Sequence, residues 1–106
     1  MSKYLLTASY SADGAKGLMK DGGTKRREAA AEAIKSVGGK MDAFYFAFGE
    51  DDAYLIVDAP DHASIAAASI AINATGAVHS KTVVLLTPED MDQATKKAVT
   101  YRAPGR

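Results

Sequence analysis

Three groups of residues carry side chains capable of chemistry. The first is His79-Ser80-Lys81, followed by Val83 and Leu85. At strand spacing alternate residues share a face, so an imidazole and an ammonium would stand side by side. His79 is then able to act as a base or to ligate a metal or haem, and Lys81 to bind a carboxylate or polarise a carbonyl. Tyr10 and Tyr45 would line a cavity with them if that face is enclosed. A single His-x-Lys pair at a strand end that reaches water is the commoner arrangement. The second group is Lys25-Arg26-Arg27, which precedes an alanine-rich helical stretch. Cations at a helix start oppose the macrodipole at a cost of about 0.3–1 kcal/mol each. Arg26 and Arg27, with the backbone N–H groups there, would suit an anion. The third is Glu50-Asp51-Asp52, oxygen ligands for a hard cation that without a longer ligand series read as a solvated turn. His62, beside Asp61, is expected to be exposed. The candidate ligand-binding residues are therefore His79, Lys81, Tyr10, Tyr45, Arg26 and Arg27. No catalytic set and no metal set is assigned.

Several chemistries are excluded. Gly17 and Gly22-Gly23-Thr24 have the outline of a phosphate loop, but Gly23 occupies the place of the required lysine. No Ser-His-Asp spacing, metal motif or dinucleotide fingerprint is present, and no cofactor is implied. The chain has no cysteine, which removes disulfides, thiolate nucleophiles and thiolate metal sites. Thirteen basic residues balance 13 acidic ones, so no overall positive field favours nucleic acid. Near-zero charge leaves little repulsion between copies. No apolar run has the length of a membrane span and no signal-peptide pattern opens the chain. A cytoplasmic protein that binds neither membrane nor nucleic acid is expected, and the sequon Asn73-Ala74-Thr75 then has no use.

The elements that must position these residues follow from periodicity. With 106 residues, 47% hydrophobic and 25% charged, the chain suits one globular domain. Lys3–Tyr10 reads as a strand. Ser11–Gly23 reads as a Gly-rich loop with at most a turn or two of helix around Ala15–Lys20. Thr24–Val37 reads as a helix capped by Thr24, with Ala30, Ile34 and Val37 on one face and Gly38-Gly39 as its stop. Lys40–Phe48 and Ala53–Asp58 read as a hairpin, with Phe44, Phe46 and Phe48 on one side. Asp61 caps a helix to about Thr75, which Gly76 ends. Val78–Leu86 is the fourth strand, and Thr87-Pro88-Glu89-Asp90 starts a short helix to about Val99. Residues 1–99 thus form one domain and 100–106 an irregular tail that drapes over the body or swaps onto a partner.

The order β-α-β-β-α-β predicts an α+β, ferredoxin-like βαββαβ sandwich with a four-stranded antiparallel sheet and a short C-terminal helix. In such a sheet one face is ordinarily wet and polar. Here both faces are apolar: Tyr54 and Ile56 oppose Leu55 and Val57, and Tyr45 opposes the phenylalanines. The second helix is apolar nearly all round, which predicts burial on more than one side. A second copy of the chain is the simplest cover for the other sheet face, and the terminal helix and tail of the same chain are the alternative.

Several stretches, taken together, resemble the GYD domain family: Lys3-Tyr4-Leu5, Gly14-Ala15-Lys16-Gly17-Leu18, Arg26-Arg27-Glu28-Ala29-Ala30, Gly38-Gly39, Phe44-Tyr45-Phe46-Ala47-Phe48-Gly49 and Val57-Asp58-Ala59-Pro60-Asp61. In the naming motif Gly49 and Asp52 match, whereas Asp51 stands where the tyrosine is expected. The resemblance implies a ferredoxin-like domain of the dimeric α+β barrel type and carries over no catalytic residue.

Three functions are consistent with these features. The first is a homo-oligomeric assembly or small-molecule-binding module for a small apolar or anionic ligand. The second is a cofactor-independent oxygenase or isomerase of the dimeric barrel class, holding an apolar substrate between sheet and helices. That reading rests on fold analogy alone. The third is a regulatory oligomer that senses an anion through Arg26 and Arg27.

Overall fold

A computed structural model describes all of residues 1–106. The elements are β1 (Ser2–Tyr10), α1 (Ala12–Asp21), α2 (Gly23–Ser36), β2 (Lys40–Phe46), β3 (Ala53–Ala59), α3 (His62–Ala74), β4 (Val78–Leu85) and α4 (Pro88–Thr95). The four strands form one antiparallel sheet in the order β2-β3-β1-β4. This is the α+β, ferredoxin-like arrangement that the element order predicts.

Alternation sorts the side chains to two faces. Tyr4, Leu6 and Ala8 of β1 and Ala53, Leu55, Val57 and Ala59 of β3 are buried beneath the helices, with Ile34 of α2 and Ile65 and Ala68 of α3. A bulge between Met41 and Ala43 shifts the phase of β2, so that Met41 and Phe44 both pack on this core. The opposite face carries Leu5, Tyr45, Tyr54, Ile56 and Val83 and has no helix over it. Tyr45 is 72% exposed and Val83 47%.

Four local expectations are corrected. Residues 12–21 form a full helix, not a loop. Ser11 caps it, accepting the Gly14 N–H at 3.1 Å, and Asp13 sits in its first turn. Gly14 is needed there because a Cβ would be driven into the Ala77 carbonyl. Thr24 does not cap α2. Gly22, at φ +81°, both ends α1 and begins α2, so the chain turns directly from one helix to the next and Thr24 is already helical. Phe48 lies beyond the end of β2 and is fully exposed. The apolar helix α3 buries one side only: Ile65 and Ala68 are buried, while Ile70 is 70% exposed.

The other caps fall where the sequence puts them. Asp61 accepts the Ser64 N–H at 2.8 Å. Thr87 and Asp90 form a reciprocal capping box with Pro88 at the helix start. That last helix stops at Thr95, however, and residues 86–102 are all exposed. The C-terminal segment therefore does not cover the open sheet face. It projects as an arm, giving a radius of gyration of 16.9 Å where a compact domain of this length has about 13 Å.

Candidate functional site

A cavity of about 90 Å³ lies between the sheet and the helices. Its floor is Leu6, Ala8, Ala53 and Leu55. Ala29, Ala30 and Ala33 of α2 form the roof, with Ile72 of α3 beside them. These α2 residues reach the core side because the helix is anchored by Ile34, and as alanines they leave space that larger side chains would fill. Val78, Ser80, Phe44 and Tyr10 close the sides, and Arg26 stands at the mouth. Eleven of the 13 lining residues are hydrophobic, so the pocket selects for hydrocarbon. Its polar groups are the Tyr10 and Ser80 hydroxyls and the Arg26 guanidinium, and neither a carboxylate nor an imidazole reaches it.

Tyr10, Arg26, Ile72 and Val78 also border a second, outer recess of about 250 Å³, completed by Asp13, Gly14, Gly17 and Asp21 of α1 and by Thr75 and Ala77. The inner cavity thus opens toward α1, and the close approach of Gly14 to the Ala77 carbonyl sets the width of the opening. Arg26 lies in the first turn of α2. Its Nε is buried and finds no acceptor in the protein. The guanidinium makes no ion pair, since the ion pairs are Lys3–Asp42, Lys3–Asp58 and Lys81–Asp51.

The six residues singled out from the sequence separate. Tyr10 and Arg26 both line the cavity and the recess outside it. Arg27 is exposed and borders a shallow depression with Gly23, Thr24, Phe44 and Phe46. His79, Lys81 and Tyr45 lie on the open sheet face, opposite Ser9, Thr7 and Tyr54 in register. Tyr10 pairs with Val78 instead, so it faces the helices and does not join His79. Lys81 Nζ stands 4.0 Å from Asp51 Oδ1. The sequence reading missed the alanine roof and the α1 wall. The roof has a signal in hindsight: Ala29, Ala30 and Ala33 sit on the sheet-facing side of a helix, where bulk is normally needed.

The sequence profile of the GYD domain matches residues 4–95. This chain belongs to the GYD domain family. Among curated proteins none matches it.

The naming stretch of this GYD domain is not the solvated turn expected. Asp52 Oδ2 accepts the Tyr10 N–H at 2.9 Å, and the Asp52 N–H donates to the Ala8 carbonyl at 2.8 Å. Asp51 accepts the Ser9 hydroxyl at 3.2 Å and its side chain is only 15% exposed. The two carboxylates satisfy backbone and hydroxyl donors that the end of β1 would otherwise leave open. Asp52 also fixes the backbone of Tyr10, and through it the mouth of the cavity. His62 is exposed, yet its Nδ1 lies 2.7 Å from the hydroxyl of the fully buried Tyr4, giving that phenol its partner.

Three outlying side chains have displaced pKa values. The Lys3 ammonium, donating a hydrogen bond to Asp42, holds that carboxyl below the usual range, and Asp42 and Asp58, both accepting from Lys3, raise the ammonium above its ordinary value. Asp61 is lowered by the Ser64 hydroxyl and backbone N–H.

Proposed function

We propose that this GYD domain is a homo-oligomeric module that binds a small apolar molecule in the cavity between its sheet and helices. The observation that carries the binding reading is the hydrocarbon-lined space of about 90 Å³ with one buried, unpartnered donor at its mouth. Native interiors are close-packed, so a hollow assembled from five alanines (8, 29, 30, 33 and 53) is a cost that a ligand offsets. Binding, with no assigned reaction, fits a pocket that lacks an acid–base pair.

The homo-oligomer rests on area. The chain exposes 7500 Å², whereas a folded monomer of its mass exposes about 5,700 Å². The surplus is of the order that stable interfaces bury. It includes the open sheet face and the C-terminal arm, where Leu86 and Tyr101 are 60% and 74% exposed. A second copy seated on the sheet, with the arms exchanged, would cover it.

Native mass spectrometry of protein purified from its own host tests both halves. A dimer or larger species carrying a small molecule is expected, and Ala30→Leu should expel the molecule while leaving the assembly intact. An empty cavity under every purification condition would sink the binding reading. A clean monomer at micromolar concentration in light scattering would sink the oligomer.

A further inference from the structure

Arg26 is the anomaly of the covered face. Cations are disfavoured at the first turn of a helix, and a buried guanidinium nitrogen without an acceptor is costlier than a solvated one. Asp13 and Asp21 border the recess next to it, yet neither is paired with it. Arg26, with its guanidinium in no ion pair, also lines a cavity whose remaining lining is almost wholly hydrocarbon. What satisfies both is one molecule with an anionic head and an apolar body.

Charge and volume narrow the class. The outer recess is lined by one cation, Arg26, and two carboxylates, Asp13 and Asp21, so a head with a single negative charge is repelled less than a dianion such as phosphate. Planar guanidinium and planar carboxylate also match in geometry. The inner cavity of about 90 Å³ is smaller than the ~150 Å³ apolar cavity that admits benzene, so the body is a short aliphatic group and not a ring. We infer that the cavity binds a short-chain aliphatic carboxylate, its carboxylate paired with Arg26 and its hydrocarbon under the alanine roof. This deepens the binding reading above and depends on it.

The test titrates the full-length protein with 3-methylbutanoate, with its neutral analogue 3-methylbutanamide, and with inorganic phosphate, following cavity methyl resonances by NMR. The acid is expected to bind at least ~10-fold more tightly than the amide, and phosphate is not expected to displace it. Arg26→Met keeps most of the side chain's hydrocarbon and should weaken the acid by about 10- to 100-fold, with the amide unchanged. Without ligand, the same variant should melt no lower than wild type, because it removes an unpartnered cation; a fall in its melting temperature would mean that Arg26 is already paired and would overturn the inference. Equal affinity for acid and amide, undiminished acid binding by Arg26→Met, or displacement by phosphate would each overturn the carboxylate inference while leaving the cavity reading standing. If neither probe perturbs the cavity resonances, the cavity reading falls as well.

Discussion

The two faces of the sheet are built from similar residues and have opposite fates. On the covered face, β1 and β3 contribute Tyr4, Leu6, Leu55 and Val57, all buried under α2 and α3. On the open face the same strands contribute Leu5, Tyr54 and Ile56, which no element of the chain covers. Hydrophobicity alone does not distinguish them. What does is that each helix has one anchored side, through Ile34 and Ile65, and both anchors fall on one face. The covered face is complete except for a hollow, and the open face is left bare by this chain. Only 12 of 106 residues are buried, a thin core for a domain.

The largest expected effect separates the faces directly. Ile34 is 1% exposed, and Ile34→Ala should cost about 2–5 kcal/mol in urea unfolding, at any protein concentration. Ile56→Ala, on the open face, should cost about 1 kcal/mol in the isolated chain. Its cost should rise with protein concentration if a second copy covers it. Equal, concentration-independent costs at the two positions would erase the distinction.

Next in size is a charge placed on the open face. Val83→Lys should weaken self-association by about 100-fold or more, because an ammonium would be buried without a counter-charge. The unfolding free energy of the dissociated chain should stay within ~0.5 kcal/mol of wild type. Sedimentation velocity over a concentration series reads the first, and urea unfolding at the lowest concentration reads the second. An oligomer that survives Val83→Lys is held together elsewhere.

A third change tests the rim of the covered face. Gly14→Ala forces a Cβ against the Ala77 carbonyl and should cost about 1–3 kcal/mol by overpacking. Since Gly14 borders the outer recess, α1 should shift and widen the mouth. The expected readout is a lower melting temperature together with faster exchange of the amides of α1. A variant that melts like wild type would mean that α1 is not held against this loop.

The fold was legible because its signals are local. Period-two alternation marks β1 and β3. Asp61, Thr87-Pro88 and Gly38-Gly39 mark helix ends, each by a donor or acceptor the backbone needs. Helix α1 was missed because Gly14 and Gly17 lower helix propensity, while what justifies Gly14 is a contact with Ala77, 63 positions later. The site was half legible for the same reason. Arg26 drew notice by its conflict with the helix dipole, but which of Arg26 and Arg27 turns inward depends on the phase of α2, fixed by Ile34. His79 and Lys81 share a face as their spacing predicts. Which face that is follows from the pairing of β4 with β1, a long-range register that no local pattern carries.

The smallest expected effect compares the acid responses of the two faces. Asp42, on β2 at the sheet edge, is lowered chiefly by Lys3, to which it lies 2.6 Å away. Asp61, which starts the covering helix α3, is lowered by Ser64. In both, the folded pKa lies below the unfolded one. Each therefore contributes stability that is fully present above the ordinary carboxylate value near 3.8 and is lost as pH falls through the lower folded value. Lys3 has the opposite sign: its raised pKa gives stability that is present below about 10.5 and lost as pH rises beyond it. These three groups add no pH dependence between those limits and a loss of stability outside them. Asp61→Asn retains a capping side chain, so it should leave the melting temperature at pH 7 nearly unchanged and flatten the acid limb. Asp42→Asn should flatten both limbs, since Lys3 loses its nearest partner. The discriminating quantity is salt: 0.5 M NaCl should reduce the Lys3–Asp42 contribution by screening and leave the Asp61 cap, a hydrogen bond to uncharged donors, largely intact. If salt weakens both acid limbs alike, the Asp61 cap is acting as a charge and not as a hydrogen bond, and the two faces answer acid by the same means.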